Sequence, residues 1–492
     1  MSLIQKVVRG AAWTTLTALL ARLASLVATL LVTHKIAPKE YGEASAAIVV
    51  VLSANSFSTL FITNFVIIDR AQTKAAAYVS NIIHQATGLI GMLIVIPLTP
   101  WLAVKLNAPD IGRYLPLTIL SFLMLRLSSV PEKILVRDLR FRYLALGRMA
   151  AEILYSIVTI VTAYRGWGGS ALIAGVVART GTKALMFCFA VPWREWLEPQ
   201  PFDTKLARRM FSYGAPLWIA GVMSYIGSNW DNLLVSHYFD AGVMAIYSLG
   251  FNLAEMPAVQ IGEQLCEVLL PSFAILEGER RRQALVKALL VVCLVTFPFA
   301  IGLGATSYTL VHAFFDPRWW AVSTVLTLLC LRSITRIIIY PLIQYFQATD
   351  RNRDQMFLSV FTTIVVLGTM IVLGSRSLVV TCTGVVIAYT LQLVPAFFIL
   401  RREGIPPAKP VLGLLRLGVA CVALAMSVLA VRTMLGPHLR PVVLLLAEIV
   451  AGAAGYVIAA LIVARPIAND LLSWLRRGLG RGSAAADTEA TA

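Results

Sequence analysis

Arg179 and Lys183 stand four residues apart in an otherwise apolar run, and Arg332 and Arg336 repeat that spacing in another. Residues four apart share one face of a helix, where like charges repel. Each pair therefore calls for an anion or a wet cavity opposite. Arg22 and Arg126 are single cations in two further apolar runs. On insertion scales a charge at the centre of a membrane helix costs about 2.5–3.5 kcal/mol, so such side chains face a cavity or one another. Six cations so placed meet two central acids, Asp231 and Glu255. The excess is a positive interior suited to an anionic head group such as a phosphate or diphosphate, because a guanidinium stays charged at any depth and can grip phosphate oxygens in pairs.

Asp231 lies in GSNWDNLL beside Asn229, Trp230 and Asn232, a polar cluster able to hold sugar hydroxyls, a cation or a proton. Asp231 and Glu255 could carry a coupling proton or neutralise an Arg. Around Glu255, residues Asn252, Gln260, Glu263, Gln264 and Glu267 make one broad polar face with Pro257 as a kink, which argues for a cavity wall. The structural alternative is that Arg126 and Lys183 snorkel to the interface while Arg179, Arg332 and Arg336 pair with acids to lock helices together. His84, alone in its run, reads as a satisfied bundle residue. No Ser/His/Asp set, HExxH, metal-ligand spacing or GxxxxGK[ST] occurs. The expectation is a transporter without catalytic residues, metal or cofactor.

The elements that must position these charges are membrane helices. The 492 residues are 58% hydrophobic and 14% charged, against about 25% charged for a soluble domain, and the mean hydropathy is +0.79. A bilayer core about 30 Å thick takes about 20 apolar residues of helix. Fourteen runs meet that length: 11–34, 42–63, 76–99, 114–131, 147–164, 168–190, 211–236, 243–270, 285–310, 319–346, 355–374, 378–400, 412–433 and 441–464. The first is too long for the core of a cleaved signal peptide and reads as a retained span. The six cysteines, all within or at the ends of apolar runs, read as small buried hydrophobes.

Forty-two Lys and Arg against 25 Asp and Glu give a net charge of +17. The bases sit in short runs between apolar blocks, which sets nucleic acid aside as a partner. With both termini cytoplasmic, most of them fall on the inner side, as the positive-inside rule requires. The richest inner segments are 137–148, 194–209 and 277–282, and the first of these could form a lipid-surface helix. The outer connections are short and leave no room for the catalytic loops of an integral glycosyltransferase or polymerase.

Leu30-Leu31-Val32-Thr33-His34 at the end of the first run is echoed by Leu233-Leu234-Val235-Ser236-His237 at the end of the seventh. An offset of six spans gives two copies of like orientation, a transporter plan. The organisation expected is a lobe at 1–190, a cytoplasmic linker at 191–210, a second lobe at 211–400, two extra helices at 401–464, and a cytoplasmic tail at 465–492, partly disordered.

Several segments resemble one family. IAPKEYG (36–42) is similar to the turn after the first span of polysaccharide exporters, and RDLRFRYLA (137–145) to their basic inner loop. The stretch 213–250 resembles their seventh and eighth spans, and PLIQYFQATDRNR (341–353) the end of their tenth, with Asp350 where a Gly is usual. The family is the Wzx-type oligosaccharide flippases of the multidrug/oligosaccharidyl-lipid/polysaccharide exporter superfamily. The resemblance implies two six-helix lobes around a central cavity and alternating access in a bacterial inner membrane. Its expected substrate is a polyprenyl-diphosphate-linked oligosaccharide moved from inner to outer leaflet, beside polymerase and export machinery. On this reading Arg22, Arg179, Arg332, Arg336, Lys183, Arg126 and Trp230 bind substrate, and Asp231 and Glu255 tune or couple. The alternatives are an exporter of small amphipathic compounds on the same fold and a membrane polymerase or ligase.

Overall fold

The computed structural model describes residues 24–60, 62–68, 73–138, 140–201, 203–267, 269, 273, 276–349 and 351–468. Among these the regular structure is helical, as expected. The main helices are α1 (Ala24–Thr33), α2 (Pro38–Ser58), α3 (Thr73–Lys105), α4 (Ile111–Leu127), α5 (Ser129–Arg137), α6 (Phe141–Tyr164), α7 (Ser170–Ala190) and α8 (Thr204–Tyr238). They continue with α9 (Ala241–Glu267), α10 (Gly278–Phe314), α11 (Val322–Ala348), α12 (Asn352–Leu373), α13 (Leu378–Leu391), α14 (Leu393–Arg402), α15 (Ala408–Leu435) and α16 (Pro441–Val463).

The fourth run breaks at Ser128 into α4 and the short α5. Pro131 falls in the first turn of α5, where a missing N–H costs no intrahelical bond. The twelfth run is likewise two helices, α13 and α14, divided at Gln392.

Among the described residues nine helical segments are long and apolar enough to cross a membrane. The fourteen runs exceed this by five. The first run is described only from Ala24 onward, α4 has 17 residues, and α2, α8 and α9 carry much of the polar side-chain content discussed below. Outward-facing side chains on α3, α15 and α16 are apolar, among them Leu89, Leu93, Ile96, Val419, Met426, Val450 and Ile462. Such a surface needs lipid as its solvent, and the chain is a multi-pass membrane protein.

Packing divides the described chain into two units. Unit one holds the residues up to Ser248 together with Phe315–Trp319 and Val366–Leu378; unit two holds Leu249–Phe314, Trp320–Val365 and the residues from Val379 onward. In unit one α2 packs on α3, α4 and α8, and α6 packs on α7. Gly42 lets the start of α2 approach the backbone of Ala241, whose carbonyl a Cβ would overlap. In unit two α10 is central and packs on α11, α15 and α16, around a core that includes Leu289, Phe297, Ile337, Leu342, Leu417 and Leu424.

One end of unit one is fastened twice. Asn107, in the left-handed region at φ 47°, donates its amide N–H groups to the carbonyls of His237 (3.0 Å) and Phe239 (3.2 Å). The Ser236 hydroxyl donates to the carbonyl of Leu106. Trp319 donates its indole N–H to the carbonyl of Thr33 (3.0 Å). The helix end at Thr33 thus meets the turn 315–319, and the helix ends at Lys105 and Tyr238 meet each other.

Candidate functional site

Unit two holds a buried cluster of charge. Residues Phe251 and Glu255 are four apart on α9, and Arg332 and Arg336 are four apart on α11, so each helix presents one face of two side chains. Arg332 donates from Nη1 to Glu255 Oε1 (2.8 Å) and from Nη2 to the Tyr389 hydroxyl (3.0 Å). Its guanidinium lies 4.4 Å from the Phe251 ring centre and 4.3 Å from that of Tyr389. Arg336 donates to the same Glu255 Oε1 and sits 5.9 Å from the Tyr340 ring centre. Two guanidiniums share one carboxylate, so among the described side chains the cluster carries one net positive charge inside an aromatic frame. Exposure separates the members: the Arg332 side chain is 1% exposed, Glu255 21% and Arg336 24%. Arg332 is enclosed, whereas Arg336 and Glu255 keep part of their surface accessible. The side chains of Pro257, Gln260, Glu263, Gln264 and Glu267 lie outside the described residues.

Unit one carries three separate polar features. At the α6–α7 contact, Arg179 reaches Glu152 at 3.6 Å and lies 5.0 Å from the Tyr155 ring centre. Lys183, half-buried one turn on, lies within electrostatic reach of Glu132 and Glu152, and Glu132 accepts from Arg148 at 2.5 Å. The like-charged pair on α7 is thus faced by two carboxylates.

Arg126 is 1% exposed and donates to neutral acceptors: Asn55 Oδ1 (2.7 Å), Ser58 Oγ (3.0 Å), Thr87 Oγ1 (3.1 Å) and the carbonyl of His84. Several of these lie in the last turn of α2, whose carbonyl end favours a cation. Gly88 provides the room, since a Cβ there would overlap the guanidinium. Arg126, expected among the substrate-binding residues, is enclosed by these acceptors and ties α4 to α2 and α3. His84 serves this contact through its carbonyl and Nδ1 (3.3 Å).

Asp231 is fully buried on α8. Its carboxylate accepts the Tyr247 hydroxyl (2.8 Å) and both the backbone and side-chain N–H of Asn232 (2.9 and 3.0 Å). The adjacent Trp230 points elsewhere: its indole N–H meets Ser53 Oγ (3.2 Å), and its ring stacks edge-on with Phe57. Trp230, Phe57, Ser53, Ser58 and Thr87 line a largely apolar cavity of about 920 Å³ between α2, α3 and α8. Arg22 lies outside the described residues. Among the described residues no three His, Cys, Asp or Glu side chains are placed to hold a metal ion.

Sequence reading missed a second buried pair in unit two. Glu448 on α16, fully buried, accepts at Oε1 from Arg432 Nε (2.8 Å) and Thr309 Oγ1 (2.7 Å). A lone Glu inside a long uncharged run was the available signal. Glu152, the partner of Arg179, is an acid within the fifth apolar run, and the aromatic frame of Tyr389 and Phe251 carried no signal of its own.

The profile of the polysaccharide biosynthesis protein family matches residues 27–324. The lipopolysaccharide biosynthesis protein WzxC of Escherichia coli (strain K12) is 22% identical over 417 residues, 84% of this chain and 83% of that protein. The teichuronic acid biosynthesis protein TuaB of Bacillus subtilis (strain 168) is 26% identical over 176 residues, 35% of this chain and 36% of that protein. Among solved structures, the fold is similar to that of the lipid II flippase MurJ in its inward closed conformation, with a TM-score of 0.69 at 15% identity over 92% of this chain and 99% of that chain. It is also similar to an inward-facing multidrug resistance MATE family transporter of the MOP superfamily, with a TM-score of 0.59 at 14% identity over 80% and 98%. The Wzx-type resemblance holds: the family profile spans more than half of the sequence, and the chain belongs to the polysaccharide biosynthesis protein family.

Proposed function

We propose that this protein moves polyprenyl-diphosphate-linked oligosaccharide units from the inner to the outer leaflet of a bacterial cytoplasmic membrane, as a transporter and not an enzyme. The observation that carries this reading is the Arg332–Glu255–Arg336 cluster, which among the described side chains has one net positive charge and a partly exposed guanidinium. A diphosphate is the kind of anion that such a group binds through paired N–H donors. Names among the relatives point the same way, toward lipopolysaccharide and teichuronic acid biosynthesis, and the MurJ likeness supplies a fold used for lipid flipping.

On this reading Arg336 contacts the diphosphate, Arg332 holds Glu255 and the aromatic frame in place, and Arg179 with Lys183 forms a second cationic station. Arg22 belongs to the same set, Trp230 offers a ring face for a sugar, and Asp231 and Glu255 adjust charge as the site fills and empties. The repeats 1–190 and 211–400 are the bodies that move, and the termini are cytoplasmic. Arg126 is left out as a strut.

The test is complementation. In a strain lacking the gene, Arg336→Ala at normal membrane abundance is expected to leave surface polysaccharide at the deletion level. Restoration to parental amounts would remove the cluster from substrate handling.

A further inference from the structure

The two Arg of α11 do not merely sit near Glu255; they converge on a single one of its oxygens. A carboxylate that shares one oxygen between two guanidiniums occupies the position where a phosphate oxygen bridging the same two groups would sit. Arg332 is enclosed by Phe251 and the hydroxyl and ring of Tyr389 and cannot leave. Arg336 and Glu255 are both partly open, so the contact that can break is Arg336–Glu255.

We infer that Glu255 is a resident stand-in for the substrate's phosphate, filling the anion seat while it is empty and giving up Arg336 to the arriving diphosphate. This rests on the function proposed above and adds a role that the function does not require. A permanently vacant pair of guanidiniums in a dry interior would be costly, and a seat with no returning anion would hold its diphosphate too tightly to release it. A tethered carboxylate answers both, because it neutralises the empty site and competes with the bound group at high local concentration. Its hold lowers apparent affinity by the fraction of time the seat is free.

The experiment titrates geranylgeranyl diphosphate, a sugar-free polyprenyl diphosphate, into the full-length protein in nanodiscs and follows intrinsic tryptophan fluorescence. If Glu255 holds Arg336 for roughly nine-tenths of the time, Glu255→Gln, which keeps the shape and removes the charge, binds about tenfold more tightly than the parent. Unchanged or weaker binding by Glu255→Gln overturns the inference. Should that variant fail to accumulate, Glu255→Asp replaces it: its carboxylate is set back by one methylene and cannot serve both Arg, so tighter binding is again expected and equal or weaker binding again overturns. Arg336→Ala separates this from the parent reading. Its binding should fall at least tenfold, and if it binds as the parent does, the cluster is not the diphosphate site at all, whatever the Glu255 variants show.

Discussion

The Trp319 indole N–H donates to the carbonyl of Thr33 at 3.0 Å, joining the turn before α11 to the end of α1. Its counterpart one repeat away is the bond from Ser236, at the end of α8, to Leu106 in the turn before α4. Thr33 and Ser236 take the same place in the LLVTH and LLVSH stretches, and each ends a helix against which a turn docks. Trp319 is fully buried and meets Tyr41 edge-on at 5.3 Å. Trp319→Phe keeps most of the ring contact and loses the hydrogen bond, an expected loss of about 1 kcal/mol. Trp319→Ala loses both and should cost about 3–5 kcal/mol. Thermal unfolding in detergent should rank them parent, Phe, Ala; equal midpoints for parent and Ala would show that this contact does not contribute to stability.

Arg126 and Gly88 should behave as one unit. Arg126→Ala leaves Asn55, Ser58 and the His84 carbonyl without their donor inside the bundle, and removal of a buried charge-assisted network costs about 3 kcal/mol or more. Gly88→Ala displaces the same guanidinium from the other side, with an overpacking cost of about 1–3 kcal/mol. Both variants should lower membrane abundance and the unfolding midpoint, while the double variant should be less damaging than the two effects added together. Full additivity would mean that the glycine is not there for the arginine.

The Arg432–Glu448 pair separates a charge kept for function from one kept for packing. Removing Arg432 leaves the Glu448 carboxylate buried with only the Thr309 hydroxyl beside it, at an expected cost of about 3–5 kcal/mol. Replacing both with Met restores an apolar contact between α15 and α16 and should recover most of that loss. Recovery of both stability and surface polysaccharide in the double variant would mark the pair as structural. Recovered abundance without recovered export would assign it a part in transport.

How far the sequence could be read follows from what each signal depends on. Helix positions were legible because apolar run length is a local property; Ser128 and Gln392 interrupt the fourth and twelfth runs, and most of the first lies outside the described residues. The α11 pair was legible as a demand for an anion, because i,i+4 spacing fixes the face. The answer to that demand was half visible: Glu255 stood out as a central acid, but its convergence on both Arg through one oxygen depends on how α9 packs against α11, which no local pattern encodes. Arg126 shows the same limit. Its type and depth match those of a ligand-binding Arg, and only the neutral acceptors on α2 and α3 show it as a strut.

The strongest test of the site uses the contrast between Arg332 and Arg336, two residues of one type, one face and one shared partner. Arg332 is enclosed, so Arg332→Ala should act on the fold first: it removes the bond to the Tyr389 hydroxyl and one of the two guanidiniums on Glu255, and should reduce membrane abundance together with export. Arg336 is partly open, and Arg336→Ala leaves Arg332–Glu255 as an intact pair with no net charge. That variant should accumulate near the parental level while losing export by roughly tenfold or more, the scale expected for one charge-assisted contact to phosphate of about 1.5–3 kcal/mol. Arg336→Lys keeps the charge without the planar fork and should fall between the two. Abundance by immunoblot against surface polysaccharide in the same cells reads both effects. If Arg332→Ala and Arg336→Ala lose abundance and export in the same proportion, the distinction between strut and ligand group is wrong, and the whole cluster is a packing device.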